Sequence, residues 1–315
     1  MSSVLIIGDN PSSLSILIYL RSDVELWILK DMEKKTLMSS LRELKITLGP
    51  SKIISLEVQG SASSVFELSG EKFDTIILAI PIYDLGKYLR QITEADLSAS
   101  CLILPSPALT SSDFSHDLSR NRNILRAISG TVAMWEKPGS IKLLYNDKWY
   151  IGSLFPKNLQ KSTRDTINML FNNKNNKIGV IGNYNRFISY VWTYNILYSA
   201  LFYPALILDT SIDFLVEDRY IRKIVDLVVD EGKRTARLHG VQISLINNDV
   251  YEFARKLRGV KSPVLYFWRR KLPSEVDYFN GAISRLSEER GEQATVNNTL
   301  QLIIKGLEAK LELMR

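Results

Sequence analysis

The chain has 315 residues, 45% of them hydrophobic and 23% charged, with a formal net charge of +6. That length implies about two domains, and the composition excludes a largely disordered chain. One cysteine, Cys101, excludes an internal disulfide, and two histidines, His116 and His239, leave a zinc site almost no ligands. The positive charge favours anionic partners. The basic run Arg269-Arg270-Lys271 is short and reads as a solvated face. No nucleic-acid-binding motif accompanies it, so nucleic acid is not the expected partner.

In chain order, Val4–Ile7 is a short β-branched run of the kind that forms a buried parallel strand. The residues that follow, Gly8-Asp9-Asn10-Pro11-Ser12-Ser13, stand where a dinucleotide fold carries G-x-G-x-x-G. Gly8 keeps the glycine that permits the tight turn. Asn10 tolerates unusual backbone angles at the second position, and Ser13 is small at the third. Ser12–Leu20 is expected as a short helix, capped by Asn10 or Ser12, with Pro11 in its first turn. Its N-terminus could attract phosphate. Read from the residues alone, the stretch fits equally a strand and helix without a cofactor.

Val24–Leu29 is a second strand. At its end Lys30 favours the 2′-phosphate of NADP(H), where an acidic residue would favour NAD; a surface lysine is the other reading. "KITL", "SKIISLEVQ" and "SSVFELSG" read as short strands and turns. "FDTIILAIP" and "CLILPSP" read as two more buried strands. "GTVAMWE", "GSIKLLYND" and "KWYIGSLF", punctuated by Pro138-Gly139 and Asn146-Asp147, read as a meander. A strand at Ile178–Ile181 closes the first domain, expected over 1–182.

The second domain, expected over 183–315, is helical. Tyr190 to Leu208 carries no charge and is long enough to span a bilayer. Its Thr193, Asn195, Ser199, Pro204 and four tyrosines make it a buried core helix instead. Ile221, Ile224, Val225, Val228 and Val229 recur at helical spacing, as do Leu300, Ile303, Ile304, Leu307 and Leu311. The expected fold class is therefore α/β: a Rossmann-like dinucleotide-binding domain followed by an all-α domain. The N-terminus has no basic region before its apolar run and does not read as a signal peptide; a reducing cytoplasm is the expected location.

The run "SPVLYFWRRKLPSEVDYFNGAISRLSEERG" resembles the helical domain of the ketopantoate reductase (2-dehydropantoate 2-reductase) family, through Ser262, Glu275, Asp277, Asn280 and Gly281. "IVDLVVDEGKRTARLHGV" is similar to an upstream family helix, through Glu231, Ala236 and Gly240. "GSIKLLYNDKWYIGSLFP" looks like the family's meander ending in Ile-Gly. The resemblance implies an NADP(H)-dependent enzyme that passes a hydride to the keto carbon of a small anionic 2-keto acid, ketopantoate in the family's case, on the way to pantothenate and coenzyme A. It implies a substrate site between the domains and a homodimer. It also implies that Glu275 bonds polar groups of the substrate, and that Ser262 and Asn280 assist binding. Where the family has a proton-donating lysine in W-x-K-L-x-x-N, this chain reads "WTYNILY": Trp192 aligns, Tyr194 replaces the lysine and Tyr198 the asparagine. Tyr194 is then the candidate proton donor. "LAIPIYD" lacks the family's lysine near Ile80, and Pro105-Ser106 replaces its Asn-Gly turn. The competing expectation is a catalytically silent relative that binds a nucleotide or a protein partner.

Overall fold

The computed structural model describes residues 2–29, 42–49, 52–110, 123–172 and 176–313. They fall into two compact units. The first comprises the described residues up to 106 and from 123 to 187. The second comprises Pro107–Thr110 and the chain from Ile188 onward.

Twelve strands are seen among the described residues of the first unit: β1 (Ser2–Ile7), β2 (Val24–Leu29), β3 (Glu43–Leu48), β4 (Lys52–Glu57), β5 (Gly60–Ala62), β6 (Lys72–Leu78), β7 (Ser98–Pro105), β8 (Ile124–Ile128), β9 (Val132–Lys137), β10 (Ser140–Tyr145), β11 (Trp149–Ser153) and β12 (Ile178–Val180). The larger sheet has the order β12-β11-β8-β7-β6-β1-β2-β5. Neighbours from β5 through to β8 pair in parallel; β11 runs antiparallel to β8. The strands are apolar because both sheet faces are buried. Leu5, Ile7, Ile76 and Leu78 are sealed, and so are their alternates Val4, Ile6 and Ile77.

A second sheet has the order β4-β3-β10-β9. Two antiparallel hairpins, β3–β4 and β9–β10, are joined by the parallel pair β3–β10. Its Leu44, Ile46, Ala133, Ile141 and Leu143 share one core with Val4, Ile6, Leu26, Ile28 and Ile103 of the larger sheet. The expected three-strand meander is therefore divided. β9 and β10 form the hairpin, but β11 leaves it for the larger sheet, where it pairs with β8 and β12. Burial explains the departure: Trp149, Ile151, Gly152 and Ser153 are all enclosed, and the ring of Phe187 lies where a side chain on Gly152 would be, 2.3 Å from its would-be Cβ.

Helices α1 (Pro11–Leu14), α2 (Leu85–Glu94) and α3 (Lys161–Leu170) complete this unit, together with the start of α4 (Tyr184–Ile207). α1 gives way at once to a 3₁₀ helix, Ser15–Tyr19.

The second unit holds most of α4, then α5 (Phe214–Glu217), α6 (Arg219–Leu238), α7 (Asn247–Lys256), α8 (Leu265–Arg269), α9 (Asn280–Glu288) and α10 (Thr295–Leu313). The uncharged run of α4 is core: Val191, Trp192, Ile196, Ala200, Leu201, Phe202 and Tyr203 are buried. No helix among the described residues is long and apolar enough to cross a membrane. Two glycines allow close packing here. A Cβ on Gly232 would lie 2.7 Å from the Ile196 side chain, and one on Gly281 would lie 2.5 Å from the Gln301 amide.

Candidate functional site

In the first unit the strand order reverses at β1: β2 lies on one side and β6 on the other. Open α/β sheets offer their ligand crevice at the carboxyl ends of strands at such a switch point. Gly8 follows β1 there, and Ala79 follows β6. Gly8 has φ 97°, and a Cβ would lie 2.3 Å from the Ala79 carbonyl oxygen. Only glycine fits this turn.

The rest of the turn is bonded internally. Asn10 N–H donates to Ala79 O at 3.0 Å. Asn10 is the helix cap, its Oδ1 accepting from Ser13 N at 3.1 Å. Pro11 has no N–H, and the Ser13 hydroxyl, buried, donates to Pro105 O at 2.9 Å. Strand β9 holds the loop from the second sheet. Trp135 Nε1 donates to Asp9 O at 2.8 Å, and Ala133 N donates to Ser12 Oγ at 3.1 Å. The turn thus keeps a glycine at Gly8 but commits the amides of Asn10 and Ser13, which a glycine-rich loop would turn to phosphate. Lys30 lies outside the described residues.

In the second unit the family-like residues cluster on the segment Ser274–Asn280, between α4 and α10. Glu275, half-buried, is left-handed at φ 65°. Tyr203 OH donates to Ser274 O at 3.0 Å, and Asn195 Nδ2 donates to Tyr278 O at 3.0 Å. Asn280 is fully buried, its Nδ2 donating to Ser199 O at 3.2 Å and to Asn297 Oδ1 at 3.0 Å. Asn297 in turn donates through Nδ2 to Glu231 Oε2 at 2.8 Å. Ser262 is buried, and its Oγ accepts from Val264 N at 3.2 Å, a first-turn bond. Tyr194 is buried on α4. Burial holds the Tyr203 phenol well above its usual range, and the charges of Glu275, Glu308 and Asp277 push the same way. It stays protonated, as the donor to Ser274 requires.

The residues of α4 that bond this segment are therefore Asn195, Ser199 and Tyr203, at i, i+4 and i+8 on one helix face. That stripe was readable as polar residues spaced by four in an apolar helix. Trp135 and Glu308 had no local signal.

A family model described as the C-terminal region of ketopantoate reductase PanE/ApbA matches residues 187–308. The helical unit is thus similar to the C-terminal region of the ketopantoate reductases. Over 189 residues it is 29% identical to a 2-dehydropantoate 2-reductase of Pyrococcus abyssi, a stretch that covers 58% of this chain. The match spans only 61% of that relative's length. Among solved structures, a PanE/ApbA family ketopantoate reductase from Ralstonia eutropha JMP134 superposes with a TM-score of 0.76 at 16% identity, covering 98% of this chain and 99% of that one. A D-mandelate dehydrogenase solved with NADH and anilino(oxo)acetate gives the same TM-score, identity and coverage. A dimeric ketopantoate reductase from Staphylococcus aureus gives 0.69 at 16% identity, with 98% and 99% covered. At these identities the likeness carries the fold.

Proposed function

We propose that this chain is a nicotinamide-dinucleotide oxidoreductase interconverting a small 2-keto acid and its 2-hydroxy acid, with NADP(H) as cofactor and ketopantoate as the first substrate to test. The observation that carries the proposal is the Gly8 turn, fitted against Ala79 at the strand switch point of a chain whose helical unit matches the family.

Gly8, Asp9, Asn10, Pro11, Ser12 and Ser13 would hold the dinucleotide, with Lys30 towards a 2′-phosphate. The bound nicotinamide supplies the hydride. Glu275 offers a half-buried carboxylate that can accept hydrogen bonds from the substrate's hydroxyl groups. Tyr194 is the proposed source of the proton for the forming alkoxide. Ser262 is enclosed and Asn280 Nδ2 is bonded to Ser199 O and Asn297 Oδ1, so their part is to fix the shape around Glu275. A homodimer in the cytoplasm completes the proposal.

A second reading is a nucleotide-binding relative without turnover. It is favoured by the tyrosine at the family's lysine position and by the committed amides of the first turn. Loss of a positioned general acid typically costs about a hundredfold to ten-thousandfold in rate. The test is titration with NADPH and NADH followed by ketopantoate and phenylglyoxylate, at high enzyme concentration. NADPH consumption with either keto acid supports the first reading. Nucleotide binding with no consumption supports the second, and failure to bind either nucleotide defeats both.

A further inference from the structure

Glu275 has φ 65° and ψ 9°, a left-handed conformation that is uncommon and costly for a residue with a Cβ. Glycine would sit there without strain. Strain of this kind is a reason to ask what holds the residue there.

The imposing contacts come from two helices. Ser274, the preceding residue, has both backbone groups held by side chains. Its N–H donates to Glu308 Oε1 of α10 at 2.7 Å, and its carbonyl accepts from Tyr203 OH of α4 at 3.0 Å. On the other side of Glu275, Asp277 accepts from Gln301 Nε2 at 2.7 Å and from Lys305 Nζ at 3.2 Å. Lys305 Nζ also lies 2.9 Å from Glu308 Oε2, whose side chain is only 14% exposed. The bonds of Asn195 to Tyr278 O and of Asn280 to Ser199 O fix the far end. The two bonds hold the peptide groups on either side of the Ser274 Cα, so Ser274 cannot swing freely and the peptide that leads into Glu275 is fixed in orientation.

We infer that Glu308, through the Ser274 amide, is a positioning residue that holds Glu275 in its left-handed geometry, with Tyr203 gripping the same residue from the opposite helix. The link from that geometry to catalysis rests on the reading proposed above; the grip itself does not.

The experiment uses the full chain and the variants Glu308→Ala, Glu308→Gln and Glu275→Gly. Amide hydrogen exchange over Ser274–Tyr278 is measured first, since it needs no activity. Glu308→Ala should speed exchange there by about tenfold or more, the loss of one charge-assisted bond. Glu308→Gln keeps an acceptor oxygen and should recover most of the protection. Glu275→Gly should raise the melting temperature by a few degrees through relief of strain. Unchanged exchange in Glu308→Ala, or a melting temperature that falls in Glu275→Gly, would overturn the inference. With NADPH and keto acid, Glu308→Ala should lower kcat/KM about tenfold with nucleotide affinity unchanged, and Glu308→Gln should restore it. If exchange responds as expected while the native enzyme shows no turnover, the grip stands and the oxidoreductase reading fails.

Discussion

Replacing Glu231 with alanine should unfold the helical unit more readily than any change on its surface. Glu231 lies on α6, only 8% exposed, and its carboxylate receives three bonds from the start of α10. Val296 N and Asn297 N donate at 2.9 and 3.0 Å, and Asn297 Nδ2 at 2.8 Å. The first amides of a helix have no partner inside it. Here a neighbouring helix supplies the acceptor, and its negative charge sits at the favourable end of the α10 dipole. Hydrogen bonds to charged groups contribute about 1.5–3 kcal/mol each, and each stranded buried donor costs about 1–3 kcal/mol. Because the three share one carboxylate they do not add fully, and a total near ~4 kcal/mol follows. For a unit of this size that lowers the melting temperature by roughly 10–15 °C. Glu231→Gln keeps one acceptor oxygen but turns an NH₂ towards backbone donors, so it should lose about half as much. Urea denaturation followed by circular dichroism gives the free energies, and hydrogen exchange over Thr295–Ile304 locates the loss. A Glu231→Ala chain within about 1 kcal/mol of the native protein, or a Glu231→Gln chain indistinguishable from it, would refute this account of how α10 is anchored.

Two substitutions probe the first turn in opposite directions. Gly8→Ala should cost about 3 kcal/mol, from the positive φ and the contact with Ala79 O, and should abolish nucleotide binding measured by calorimetry. Pro11→Ala restores an amide at the helix start and should tighten NADPH binding about fivefold to tenfold; unchanged affinity would place the phosphates elsewhere. The pH dependence follows from the buried Tyr203, whose pKa is raised by burial first and by the nearby carboxylates second. Its contribution is complete below the unfolded value near ~10 and is lost as pH rises from there towards its higher folded value. Stability should therefore decline from about pH 10 upward, and Tyr203→Phe should flatten that limb in denaturation curves taken across the range.

The strands at the centre of the larger sheet were legible because a strand buried on both faces must be apolar; Val4–Ile7 satisfies that throughout, and Val24–Leu29 and Phe73–Leu78 do so apart from Glu25, Asp74 and Thr75 near their starts. The Gly8 turn was legible for another reason: a positive φ leaves few residues to choose from. So was the long helix α4, whose uncharged run can only be core or membrane. The helix spacing of Ile221–Val229 and Leu300–Leu311 held as helix, although Ile303 of that second set faces solvent.

Tertiary contacts decided the rest. The pairing of β3 with β10 joins segments far apart in the chain, and nothing local to "ELKITL" or "SIKLLY" names the partner. The same long-range choice sends β11 away from its hairpin neighbours and lets β9 grip the first turn through Trp135. In the helical unit the resemblance offered Glu275 as a catalytic residue and Ser262 and Asn280 as substrate-binding ones. Packing separated them: Ser262 and Asn280 are buried, while Glu275 is half-buried on a left-handed turn. Residue identity fixes which chemistry a side chain can perform and which backbone angles it resists. Whether it meets a ligand or a neighbouring helix depends on contacts between distant segments, and those exist only once the chain has folded.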